Sequence, residues 1–297
     1  MRVHTLHGWE VSVAKARDIQ LSLAKRVVAE NVVGKLGLVA GIDISAPDAQ
    51  GVARGAVVIL HYPELSVVEI QVVEGRVAFP YIPGLLSFRE TPLILAACKK
   101  VHNVPDLILI DGQGIAHPRR LGLASHVGLL LDLPTIGCAK SILCGRHRPV
   151  GEEAGSHAEL LDNGEVIGAA LRTKSGVRPV YVSVGHKINL ASALEWVAKC
   201  CRGYRLPEPT RLAHLAAAGR LVLEPEDHRR LSDCGEIAAP RQIGAPKEKK
   251  GRLKLASPSC RCEADDINRS NTGEAKRSLR TFQALAMTVK ICRSLSN

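Results

Sequence analysis

Three acidic residues stand where acids are out of place. Asp43 lies inside the apolar run Val39-Ala40-Gly41-Ile42-Asp43-Ile44, where a lone carboxylate costs several kcal/mol unless it is paired or bound to a cation. Asp111 closes the fully apolar stretch Leu107-Ile108-Leu109-Ile110, and Glu90 follows Phe88-Arg89 near the start of a helical pattern. If the strands carrying Asp43 and Asp111 are neighbours, the two carboxylates point side by side, and a helix packed across the sheet can bring Glu90 to them. Such an all-oxygen cluster suits a hard cation, usually Mg²⁺, and hence phosphoryl chemistry. Taken singly, each acid also fits a structural role: Asp43 in a local turn, Glu90 paired with Arg89 or Lys99, and Asp111 opening an Asx-turn into Gly112. Their order along the chain is what favours the cluster.

The elements that must position these acids can be read from apolar periodicity. β-Branched runs at Leu36–Ile44, Ala56–His61 and Val67–Val73, with short connectors between them, predict three consecutive strands. Leu85–Val101 switches to helical spacing, Leu107–Ile110 reads as a buried strand, Leu121–Leu131 as a second helix and Thr135–Ala139 as another strand. The expected core is an α/β fold in the order βββαβαβ. Beyond it, Val166–Leu171 and Val180–Val184 predict a strand pair, followed by helices near Leu190–Cys201 and Thr210–Ala218.

With 46% hydrophobic residues the 297-residue chain can bury a sizeable core, and no apolar run is long enough to span a bilayer. The first twenty residues contain no apolar segment of the signal-peptide kind, so a cytoplasmic protein with no membrane association is expected. A net charge of +11 favours a polyanionic partner. Aromatic residues make up only 3%, too few for a base-stacking platform. The nine cysteines lack the spacing of a disulfide framework or of paired zinc ligands and are read as buried thiols. From about Leu221 the chain turns polar, with 15 basic and 10 acidic residues, so +5 of the +11 belongs to this stretch. We therefore expect a catalytic domain over residues 1–220 and a basic, flexible extension over 221–297, with a short helix at Lys276–Lys290.

Several blocks resemble the endonuclease V family, deoxyinosine-specific nucleases with a ribonuclease H-like fold. They are Gly41-Ile42-Asp43-Ile44-Ser45, Pro80-Tyr81-Ile82-Pro83-Gly84-Leu85-Leu86-Ser87-Phe88-Arg89-Glu90, Asp111-Gly112-Gln113-Gly114-Ile115-Ala116-His117-Pro118-Arg119-Arg120, Gly137-Cys138-Ala139-Lys140-Ser141, Gly185-His186, and Pro207 to His214. The opening segment around Trp9-Glu10 and Ala14–Gln20 is similar to bacterial members.

This resemblance implies a metal site at Asp43, Glu90 and Asp111, completed by His214, with Lys140 near the scissile phosphate. It implies a base pocket around Gly84, Leu86, Gly112, Gly114, His117 and Leu143, and a wedge carrying Tyr81. The two prolines around Tyr81-Ile82 suit a rigid tip that enters a base stack, although a turn whose Tyr81 packs on the core fits the same pattern. Basic residues His117, Arg119, Arg120, Arg172, Lys174 and Arg178 are expected to contact phosphates. The implied activity is Mg²⁺-dependent hydrolysis, with Mn²⁺ as a substitute, at the second phosphodiester bond 3′ to deoxyinosine in DNA, leaving 3′-hydroxyl and 5′-phosphate ends, by a monomer. Cleavage of inosine-containing RNA, and binding of the lesion without catalysis, are the alternatives.

Overall fold

The structure is a computed structural model that describes residues 1–221. The basic extension and its expected helix at Lys276–Lys290 lie outside the described residues, apart from Leu221.

Eight strands form one mixed sheet. In chain order the elements are α1 (Val13–Ala24), β1 (Leu38–Ile44), β2 (Val52–His61), β3 (Ser66–Arg76), α2 (Leu86–Lys100), β4 (Leu107–Ile110), α3 (Leu123–Leu131), β5 (Thr135–Ala139), β6 (His157–Asp162), β7 (Glu165–Leu171), β8 (Val180–His186), α4 (Leu190–Lys199) and α5 (Glu208–Ala217). Their order across the sheet is β3-β2-β1-β4-β5-β8-β7-β6. The β1–β4 and β4–β5 pairs are parallel, as the intervening helices require; the other pairs are antiparallel. The expected βββαβαβ core is present.

Alternation along the central strands divides the core into two layers. Ala40, Ile42, Ile108 and Ile110 pack with Ile94 and Ala97 of α2 and with Val127 of α3. On the opposite face Val39, Leu107 and Leu109 pack with Val197 of α4 and with Leu212 and Ala213 of α5. By the same parity Asp43 and Asp111 leave the ends of β1 and β4 on the α5 side.

Two elements were not anticipated. The buried face of α1 is Ala16, Gln20 and Leu23, so a polar residue interrupts the apolar stripe that would announce a helix. In β6 only Leu160 is buried, as befits an edge strand with one face in water. β2 also begins four residues earlier than the apolar run suggested, at Val52. Cys98, Cys138 and Cys200 are buried free thiols, Cys144 and Cys201 are partly buried, and no disulfide forms among the described residues.

Candidate active site

Register brings the acids together. Ile42 pairs with Ile110 in the parallel β1–β4 ladder, which sets Asp43 beside Asp111 one step further on. The Asp43 Oδ1 accepts from the Ile44 backbone N–H (2.8 Å), and its Oδ2 accepts from His214 Nδ1 (2.7 Å). His214 arrives on α5, which crosses β1 closely. Donor atoms of Asp43, Asp111 and His214 lie within 4.8 Å of one another, a constellation able to hold a metal ion.

Glu90, on α2, approaches from the other layer. Burial pushes its carboxyl up to about 8, and the charges of Asp43 and Asp111 add to the shift against an opposing contribution from Arg89. It makes no ion pair with Arg89 or Lys99, so the structural alternative for this residue is not realised. Asp111 is likewise raised by burial and by Asp43, while Lys140 pulls the other way. The Lys140 Nζ lies 2.5 Å from Asp111 Oδ2. Burial alone would depress the Lys140 ammonium, but Asp111 and Asp43 hold it above its ordinary value. Asp43 and Asp111 are carboxyls that a bound cation would neutralise; Glu90 feels the charge of both but stands outside the constellation of Asp43, Asp111 and His214.

Asp43, Glu90 and Asp111 line a cleft of about 370 Å³, within the range of small-ligand sites. Its wall includes Tyr81, Gly84, Leu86, Gly112, His117, Lys140 and Leu143. Tyr81 is 70% exposed on its loop, so the reading in which it packs on the core is not realised. Gly114 is the one expected pocket residue absent from the wall. A Cβ there would come within 2.0 Å of the Val184 carbonyl oxygen, so this glycine allows the loop after β4 to pack against β8.

A network that the sequence did not reveal fixes the wedge loop. The Gly84 carbonyl accepts from Gln20 Nε2 (3.0 Å), His117 Nε2 (2.9 Å) and Arg119 Nη2 (2.7 Å). Gln20 also donates to the Leu121 carbonyl and accepts from Arg119 Nε (2.6 Å). His117 Nδ1 accepts from the Arg119 backbone N–H, which assigns the ring proton to Nε2. No sequence signal marks Gln20, because its partners come from two distant segments, at Gly84 and at Arg119–Leu121. Gln113 and Ile142 were also missed as cleft residues; Gln113 is buried and donates to the Ser141 carbonyl (2.8 Å).

The basic residues expected at phosphates sit in different surroundings. His117 is buried, which holds it down to about 4, so it is neutral near pH 7. Arg119 serves the wedge network, and Arg120 pairs with Asp162 (2.9 Å) and Glu165 (2.7 Å). Arg172 is engaged with the carbonyls of Val150, Gly151 and Val177. Of that group, Lys174 and Arg178 remain exposed with no ion pair among the described residues.

The buried histidines carry a prediction for stability. Burial also holds His126 down to about 3, with the neighbouring His7 adding to the effect; its Nε2 lies 2.7 Å from His7 Nε2. An unfolded histidine titrates near 6.5, so below that pH the unfolded chain takes up protons that the fold refuses. The contribution of these histidines is therefore complete above pH 6.5 and falls as the pH drops toward 4, by on the order of 2 kcal/mol per histidine near pH 4.5, while the raised carboxyls of Glu90 and Asp111 act in the opposite sense. Thermal unfolding of wild type and His126→Gln across this range reads the His126 share: as the pH falls, the variant should gain stability relative to wild type. A difference between the two that does not change with pH would contradict the assignment.

Comparison with known proteins agrees with the geometry. The sequence profile of the family described as Endonuclease V matches residues 21–215. An endonuclease V from Dehalococcoides mccartyi is 52% identical over 218 residues, covering 73% of this chain and 98% of the relative. The crystal structure of an endonuclease V from Streptomyces avermitilis is 39% identical and superposes with a TM-score of 0.68, covering 80% of this chain and all of the other. A Ciona intestinalis endonuclease V, solved in complex with a 24mer DNA containing an inosine followed by a ribo-adenosine, is 28% identical with a TM-score of 0.59, covering 70% and 96%.

Proposed function

The chain belongs to the endonuclease V family, and from that premise we propose that it is a Mg²⁺-dependent repair endonuclease that recognises deoxyinosine in DNA and hydrolyses the second phosphodiester bond on its 3′ side. The observation that carries this reading is that Asp43 and Asp111, which meet His214, also line the cleft to which the exposed Tyr81 contributes.

Tyr81 enters the base stack from a loop held by the Gln20–Arg119–His117 network, so little ordering is left for binding to supply. The extruded base, made easier to flip by its weakened pairing, occupies the cleft between the loops after β4 and β5. Asp43, Asp111 and Glu90 are the acids that would hold the cation, and His214 is the histidine that would complete the site. When bound, Mg²⁺ supplies charge to polarise the phosphoryl group and to lower the pKa of a water. His214 Nδ1 is engaged with Asp43, which leaves Nε2 as the ring's free position, available to hold the proton of the attacking water. The Lys140 ammonium stands beside Asp111, where it offsets negative charge as it develops on the phosphoryl oxygens. Water as nucleophile leaves 3′-hydroxyl and 5′-phosphate ends with no covalent intermediate.

No helix among the described residues is long and apolar enough to cross a membrane, in keeping with action in the cytoplasm, where we place the enzyme as a monomer. A side-by-side assay on strands carrying one deoxyinosine or one inosine, in Mg²⁺, tests the substrate class. The expected result is faster nicking of the DNA; exclusive cleavage of the RNA would reverse the assignment.

A further inference from the structure

Lys140 leaves the end of β5 at a point where its own surroundings do little to hold it: Lys140, Ser141, Ile142 and Leu143 are all exposed. Two side chains from distant parts of the chain grip the backbone there. Arg205, between α4 and α5, donates from Nη2 to the Lys140 carbonyl (2.6 Å) and to the Pro179 carbonyl (3.0 Å), and from Nε to the Arg178 carbonyl (3.0 Å). Gln113 Nε2 donates to the next carbonyl, that of Ser141 (2.8 Å). Arg205 is itself fixed, since its carbonyl accepts from Thr173 Oγ1 (2.5 Å).

Arg205 pairs with no carboxylate among the described residues. A half-buried guanidinium without an acid partner is uncommon, and here its planar fork bridges the exit of β5 to the entry of β8. The peptide it grips is the one from which the Lys140 side chain reaches Asp111.

We propose that Arg205 is a positioning residue for phosphodiester hydrolysis: by holding the Lys140 carbonyl it sets the ammonium beside Asp111 before substrate arrives. This rests on the reading that Lys140 acts at the scissile phosphate. A simple tie between β5 and β8 would affect folding and DNA binding; a positioning role acts on the chemical step and only through Lys140.

The test is a double-mutant cycle of Arg205→Ala and Lys140→Ala, read as the single-turnover nicking rate on a deoxyinosine duplex in Mg²⁺, the affinity for that duplex in EDTA, and the unfolding temperature. Arg205→Ala is expected to slow the single turnover by about 10- to 100-fold, with affinity within about threefold of wild type. In the Lys140→Ala background the same change should cost less than about threefold. If Arg205→Ala folds poorly, Arg205→Lys, which keeps the charge and loses the fork, carries the same cycle with a smaller loss in the same direction.

An equal loss in both backgrounds would overturn the proposal, as would a wild-type rate for Arg205→Ala. A full rate in Lys140→Ala alone would instead remove the reading of Lys140 on which the proposal stands, a result distinguished by the single variant in which it appears.

Discussion

Asp111→Asn leaves the protein folded and able to bind deoxyinosine DNA, and lowers its nicking rate by on the order of a thousandfold or more. The loss follows from removing one of two carboxylates that β1 and β4 set side by side, and so the charge that would hold a cation against the phosphate; several kcal/mol of transition-state stabilisation corresponds to that factor. Stability moves the other way. Burial and the neighbouring Asp43 already raise the Asp111 carboxyl, so a neutral side chain of the same shape relieves a repulsion even as it gives up the Lys140 contact. Unfolding at or above the wild-type temperature, together with unchanged DNA affinity in EDTA, separates this outcome from simple misfolding. Full nicking activity in the variant would remove Asp111 from the site.

Gly41→Ala has the largest expected effect on the fold itself. A Cβ on Gly41 would lie 1.8 Å from the Pro209 carbonyl oxygen and 2.2 Å from its carbon. Both atoms belong to the first turn of α5, whose backbone cannot yield as a flexible side chain would. The helix must lift from β1, at a cost of about 3 kcal/mol or more. Because α5 carries His214 to Asp43, nicking should fall together with stability. Gly34→Ala is the control, since nothing lies within 4 Å of a Cβ there. Denaturant unfolding of the two variants checks the claim, and wild-type stability in Gly41→Ala would contradict the close packing of α5 on β1.

These two residues show what could be read in advance. The partnership of Asp43 with Asp111 was legible because strand alternation and a short apolar run ending in an acid are local patterns, and parallel pairing converts them into proximity. His214 was indicated by family resemblance alone, since its contact depends on how closely α5 crosses Gly41. The grip on Gly84 was illegible for a different reason. Gln20, His117 and Arg119 look like an ordinary polar helix residue and a basic loop, and only the assembled fold turns their donors inward onto one carbonyl. Nor does the sequence show that His117 is buried and that Arg119, Arg120 and Arg172, expected at phosphates, each hold partners within the protein.

The central claim is that the carboxylates at the ends of β1 and β4, with Glu90 and His214, bind a divalent cation to cut DNA beside a flipped deoxyinosine. It is tested most directly by incubating the protein with an end-labelled duplex carrying a single deoxyinosine, with Mg²⁺ and with EDTA, and mapping the cut. The account predicts one nick at the second phosphodiester 3′ to the lesion, bearing a 3′-hydroxyl, dependent on Mg²⁺ and absent from the unmodified duplex. Cleavage that persists in EDTA, or that ignores the lesion, would contradict it.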